Sequence, residues 1–145
     1  MKIIYCIQST HNSGGMERVL TRKVNYLAQA GHEVSIITFD QQGRKSFFEL
    51  HPKINCYDLS IPYKQHQKPG LLNRLALYAR LPRLRRLHRS RLEQLLLKLK
   101  ADVVISMLNE DAYFLPSMQD GSKKVLEFHF SKYSGLQDLR KGIWR

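Results

Sequence analysis

Hydrophobic and polar positions divide the chain into short apolar runs and one long amphipathic stretch. Residues 2–8, KIIYCIQ, form an unbroken apolar run, the pattern of a strand buried on both faces. A polar loop with two adjacent glycines follows. From Met16 the apolar positions Val19, Leu20, Val24, Leu27 and Ala28 recur at helical spacing. Ser13 is the expected N-cap of that helix and Gly31 its C-terminal stop. HEVSIITFD (32–40) reads as a β-branched second strand, QQGRKS as a loop, and INCYDLS (54–60) as a shorter third strand. The leucine- and arginine-rich stretch that follows is helical over 71–80 and 83–100, with Pro82 kinking it or starting a new segment. ADVVISM (101–107) is a fourth strand, EDAYFLPSM a short helical turn and KKVLEFHF (123–130) a fifth strand. The last fifteen residues carry no strong period and suit a tail or the start of a further helix.

This order, β-α-β-β-α-β-α-β, predicts an α/β domain: a Rossmann-like doubly wound parallel sheet in strand order 3-2-1-4-5, with helices on both faces. In such a sheet the binding crevice opens where the strand order reverses, here at the carboxyl ends of strands 1 and 4. Three segments converge there by topology: Gln8 to Gly15, Ser106 to Asp111, and His129 to Tyr133.

Composition narrows the class. A chain of 145 residues with 43% hydrophobic side chains can bury one ordinary core. No apolar run approaches the roughly 18 residues of a membrane span. MKIIYCI is too short and too polar at its far end for a secretory signal. Cys6 and Cys56 lie in strand-like runs, which suits buried, reduced thiols of a cytoplasmic protein. The net charge of +12 is concentrated: Lys64 to Lys100 holds eleven basic residues against the single acid Glu93. An acidic partner is expected there, whether a lipid surface, a nucleic acid or a phosphate-bearing ligand.

The glycine loop NSGGMERVL lacks the Gly-Lys-Ser/Thr of a phosphate-binding P-loop and the spacing of a dinucleotide fingerprint. It is either a tight strand-to-helix turn or a helix N-terminus left open for a phosphate or carboxylate. His129 is either a strand-end histidine bonded to a neighbour or a reacting group. Glu127, two residues earlier on the same strand face, either orients that imidazole or pairs with Lys123 or Lys124. Asn109, Glu110 and Asp111 are candidates for binding hydroxyl groups, and Asn109 equally suits a helix cap.

The stretch NSGGMERVL…LAQAGHEVSIIT resembles the opening of glycosyltransferase family 4, retaining sugar transferases of the GT-B fold. The matching residues are Gly14, Gly15, Glu17 and Arg18, then Gly31, His32, Glu33 and Val34; DVVISM and VLEFHF resemble the family's fourth and fifth strands. The resemblance covers roughly residues 1–133 and implies the amino-terminal, acceptor-side half of such an enzyme. It implies that Gly14 and Gly15 face the diphosphate of a nucleotide-sugar. It also implies a catalytic role for His129 near the reacting sugar. Ser13, Asn109, Glu110, Asp111 and Glu127 are the candidates for the acceptor side. It implies no metal and no cofactor, the nucleotide-sugar being a substrate. The family's donor-binding domain follows the amino-terminal one, and residues 134–145 leave no room for it, so the chain alone is expected to be inactive.

In the basic stretch, Leu84, Leu87, Leu92, Leu95, Leu96 and Leu99 are expected to share a broad apolar face. Arg80, Arg83, Arg85, Arg86, Arg89 and Arg91 flank or oppose it. The stretch is either a core-packing helix with a solvated basic side or an interfacial element on an anionic membrane. Nucleic acid is a weaker fit, since no helix-turn-helix, aromatic platform or zinc spacing is evident. Taken together, the expected function is sugar transfer from a nucleotide-sugar to a glycan or lipid-linked acceptor in polysaccharide biosynthesis, at the cytoplasmic face of the membrane. The competing reading is a non-catalytic α/β module that docks on an acidic partner through its basic helix.

Overall fold

A computed structural model describes residues 1–63, 71–107 and 109–128, with 71–79 described by backbone only. The chain runs β1 (Lys2–Ile7), α1 (Gly15–Gln29), β2 (Glu33–Thr38), β3 (Asn55–Asp58), α2 (Leu71–Leu99), β4 (Val103–Ser106) and β5 (Lys123–Leu126). Two short 3-10 turns, Glu110–Tyr113 and Leu115–Ser117, lie between β4 and β5. All strand pairs are parallel and the sheet order is β3-β2-β1-β4-β5, the expected topology.

The continuous apolar run of β1 has a direct cause. Ile3, Tyr5 and Ile7 point to one side, where Leu20, Val24 and Ala28 of α1 meet them at intervals of one helical turn. Ile4 and Cys6 point to the other, against Leu92 and Leu96 of α2. With helices on both faces, a central strand has no wet side to give to polar residues.

The helix ends depart in part from expectation. The α1 N-cap is Gly14 rather than Ser13, and no side chain caps the helix. The C-terminus follows the prediction: Gly31 has φ +88°, and the N–H groups of Gly31 and His32 donate to Ala28 O and Leu27 O at 3.2 and 3.0 Å. This is a Schellman ending, which only a residue tolerant of left-handed backbone closes without strain.

α2 is one helix of 29 residues running through Pro82, not two segments. Proline removes a single N–H donor, and Pro82 sits on the exposed side, where water can serve the carbonyl it leaves open. Its apolar face also differs from the expected one. Leu84, Leu92, Leu95, Leu96 and Leu99 pack inward, whereas Leu87 is 38% exposed and the buried position belongs to His88. Cys6 is buried, but Cys56 is exposed, because β3 is an edge strand with little covering it. β5 ends at Leu126 rather than 130.

Candidate functional site

The sheet order reverses between β1 and β4, so the crevice lies at their carboxyl ends. The loop after β1 forms its first wall. Ser9 and Thr10 are buried, and Gln8 O accepts the N–H groups of Phe39 and Asp40 at 3.3 and 2.9 Å. Asn12 Nδ2 donates to Ser9 Oγ at 3.1 Å, while Ser13 is exposed at the lip. His11 Nδ1 is buried without a partner among the described residues.

The two glycines at the start of α1 differ. A Cβ at Gly14 would collide with the Glu17 carboxylate, which folds back against it. That carboxylate lies at the positive end of the helix dipole, where an arriving anion would compete with it. A Cβ at Gly15 would meet nothing within 4 Å. Nor does Gly15 have positive φ, so nothing inside the fold requires a glycine there.

The second wall is the turn after β4. Met107 N–H donates to Cys6 O at 3.0 Å, which holds this turn against the first loop. Asn109 occupies the N-cap position of the 3-10 turn but makes no side-chain cap, and its Nδ2 is buried without a partner among the described residues. Glu110 is taken by Arg85 of α2, at 3.0 Å, and the Arg85 guanidinium lies 4.4 Å from the centre of the Tyr113 ring.

Asp111 is fully buried, and neither carboxylate oxygen has a well-formed hydrogen bond among the described residues. Burial pushes its carboxyl up to about 6; the Ser106 hydroxyl and the backbone N–H groups of Asp111 and Asn109 pull the other way. Glu127 reaches Lys23 of α1, not Lys123 or Lys124, and Lys124 pairs instead with Asp120. Lys23 was silent in the sequence because the two partners are 104 positions apart. His129 lies outside the described residues, as does the expected third segment, 129–133.

Behind the second wall stands a buried aromatic group that periodicity alone did not single out. His88 lies 4.7 Å from the Phe39 ring centre and 4.9 Å from that of Phe114, and its Nδ1 is 3.0 Å from the Tyr63 hydroxyl. Burial lowers its pKa to about 4, so the ring is neutral at pH 7. Burial, then the nearby Glu110 carboxylate, pushes the Tyr63 hydroxyl up. The available signal was position: His88 stands one turn from both Leu84 and Leu92 on the inward face.

The basic patch is smaller than composition suggests. Arg85 is engaged as described, and Arg91 Nη1 donates to Leu59 O at 2.6 Å and Ser60 O at 3.2 Å. Arg80, Arg83, Arg86 and Arg89 remain exposed.

A parallel five-stranded sheet in this order, with helices on both faces, defines a Rossmann-like α/β domain. The chain matches the model of Glycosyltransferase Family 4 over residues 13–145, which take in both glycines, the GHEV turn and the basic helix. It belongs to that family. No curated protein matches it.

Proposed function

We propose that the chain is the acceptor-side domain of a retaining glycosyltransferase that moves a sugar from a nucleotide-sugar to a glycan or lipid-linked acceptor. The observation that carries this reading is the open space at Gly15. Neither backbone strain nor packing requires glycine there, and a Cβ would intrude only on something that approaches the N-terminus of α1 from outside. A diphosphate is the group that such a helix end attracts. Asn109, Asp111 and His11, on the loops after β1 and β4, hold buried polar atoms without a partner among the described residues, and in this reading a sugar hydroxyl reaches them by displacing the side chains that cover them.

In this reading the donor is held by a second domain, His129 acts beside the reacting sugar, and the present domain alone is inactive. No helix among the described residues is long and apolar enough to cross a membrane. Attachment to an anionic surface would therefore rest on Arg80, Arg83, Arg86 and Arg89 along the outer side of α2, each contributing about 1 kcal/mol near such a surface.

Gly15→Ala separates the ligand reading from a structural one. Alanine is the better helix former by about 1 kcal/mol, so the domain should melt at the same temperature or slightly higher. Turnover of the complete enzyme with a nucleotide-sugar should nevertheless fall at least about tenfold, the cost of roughly 1.4 kcal/mol in the transition state. Unchanged turnover would remove the phosphate-facing role.

A further inference from the structure

The connection between β2 and β3 does work that neither the crevice nor α2 accounts for. After Asp40 the chain reverses in a tight turn: Arg44 N–H donates to Gln41 O at 3.1 Å, with positive φ at both Gln42 (56°) and Gly43 (66°). Those are the features of a type I′ turn. The Gln41 side chain locks it in place. Its Oε1 accepts the Thr10 N–H at 2.9 Å, and its Nε2 donates to Arg44 O at 2.8 Å. On the return, Ser46 Oγ lies 2.7 Å from Thr10 Oγ1, and Phe47 N–H donates to Thr10 O at 2.8 Å. The loop is thus fastened to the same β1–α1 connection that walls the crevice.

A loop held this firmly presents its side chains in fixed positions. Arg44 and Lys45 are exposed and have no acidic partner among the described residues. Phe47 is 60% exposed, a large apolar ring standing in water beside them. Phe48 meets it edge-on at 5.0 Å and carries the Arg18 guanidinium 5.4 Å from its own ring centre, which adds a third cation. Residues 41–48 contain no acid.

The loop lies at the carboxyl-end edge of the sheet, as the first part of α2 does. Leu99 O accepts Lys2 Nζ at 2.8 Å, which places the last turn of α2 at the opposite edge, where β1 begins. From there 29 residues extend about 43 Å, whereas the six of β1 span about 20 Å. Counted back from Leu99, Arg83 and Arg80 lie about 24 and 28 Å along the helix, which brings them to the edge at which Phe47 stands.

We propose that the 44–48 loop docks the domain on an anionic lipid surface. Phe47 enters the boundary between headgroups and acyl chains, and Arg44 and Lys45 bind headgroup phosphates. This extends the proposed surface attachment of α2 to a second, independently built element and turns the crevice edge toward the lipid. A protruding turn suits a flat surface. Single-stranded nucleic acid is instead held in a basic groove with rings on its floor.

The test uses the intact chain in co-sedimentation with vesicles of phosphatidylcholine, alone or mixed with phosphatidylglycerol. Phe47→Ser, and separately Arg44→Glu with Lys45→Glu, should each weaken binding to the mixed vesicles about tenfold or more. The melting temperature should hold, since all three side chains are exposed. Two results overturn the docking loop: wild-type affinity in both loop variants, or loop variants that lose only a single-stranded oligonucleotide. Loss confined to Arg83→Glu with Arg86→Glu also overturns it but leaves the proposed function intact. If the loop variants lose the vesicles while Gly15→Ala leaves turnover unchanged, the docking loop stands and the phosphate-facing role of Gly15 falls.

Discussion

Against one face of the sheet, α1 packs Leu20, Val24 and Ala28 onto Ile3, Tyr5 and Ile7, a cluster whose only polar atom in those side chains is the Tyr5 hydroxyl. Against the other face, α2 packs Leu92 and Leu96, but His88, Ser106 and Asp111 are buried there as well. The Asp120–Lys124 pair borders the same side, near Cys6. Both faces bury fully covered aliphatic side chains; the first adds only the Tyr5 hydroxyl, whereas the second also buries an imidazole and a carboxylate. Nothing in the packing of a helix on a sheet calls for them. Polar groups buried without complete partners cost stability, and proteins retain them chiefly at sites of function. The polar face is the one whose loop carries Asn109 and Asp111 to the crevice.

Truncating one core leucine on each face should produce the largest effects. Leu20→Ala and Leu92→Ala each empty a fully buried position and should each cost about 2–5 kcal/mol in chemical denaturation. A loss under about 1 kcal/mol for Leu92→Ala would mean that the α2 face lies outside the cooperative core, and the comparison would fail.

Next comes the pH response, which belongs to the α2 face alone. His88 has its pKa lowered from 6.5 to about 4, so the unfolded chain binds its proton more readily, and stability falls as pH drops from about 6.5 to 4. Asp111 has its pKa raised from 3.8 to about 6. Its contribution is fully present below 3.8 and is lost as pH rises through about 6. The two slopes oppose each other over nearly the same window, each worth roughly 3 kcal/mol, so the parent protein should show little net dependence.

Each single substitution should expose the remaining slope. Asp111→Asn should make stability rise with pH between about 4 and 6.5, and at pH 7 it should stabilise the domain by about 1–3 kcal/mol. His88→Leu should make stability fall with pH over that range and cost about 1–2 kcal/mol at pH 7, because the Tyr63 hydroxyl loses its partner. Denaturation midpoints at several pH values measure both. Parallel profiles in the two variants would show that these groups do not titrate as described.

The smallest effect concerns the link between α2 and the crevice turn. Arg85→Ala removes a partly exposed ion pair to Glu110 and the contact with Tyr113, together worth at most about 1 kcal/mol. Amide exchange in residues 110–113 should nonetheless accelerate, since α2 holds that turn through this side chain. Unchanged exchange would show that the turn is held by the sheet alone.

How much of this was legible beforehand follows from what each feature depends on. The strands, the Gly31 ending and the sheet order come from apolar run length, turn chemistry and the chain order of elements. All three are local or combinatorial properties. The family followed from two short motifs, NSGGMER and GHEV. The candidate site was legible as a set of segments but not as a set of partners. Glu127 was set against its neighbours Lys123 and Lys124, yet it binds Lys23 across the fold. Arg85 and Arg91 counted as free charges until Glu110 and the carbonyls of Leu59 and Ser60 took them up.

By itself, then, the sequence determined the doubly wound class, the position of the crevice and the presence of a concentrated positive charge, because periodicity and composition act through near neighbours. Only the tertiary structure decided which arginines stay free, that His88 rather than Leu87 faces inward, and that Asp111 is buried with its carboxyl pushed up. It also decided that the plain loop QQGRKS is fastened to Thr10 and holds Phe47 out in water. Those outcomes depend on contacts between residues tens of positions apart, and such contacts exist only once the sheet has brought them together.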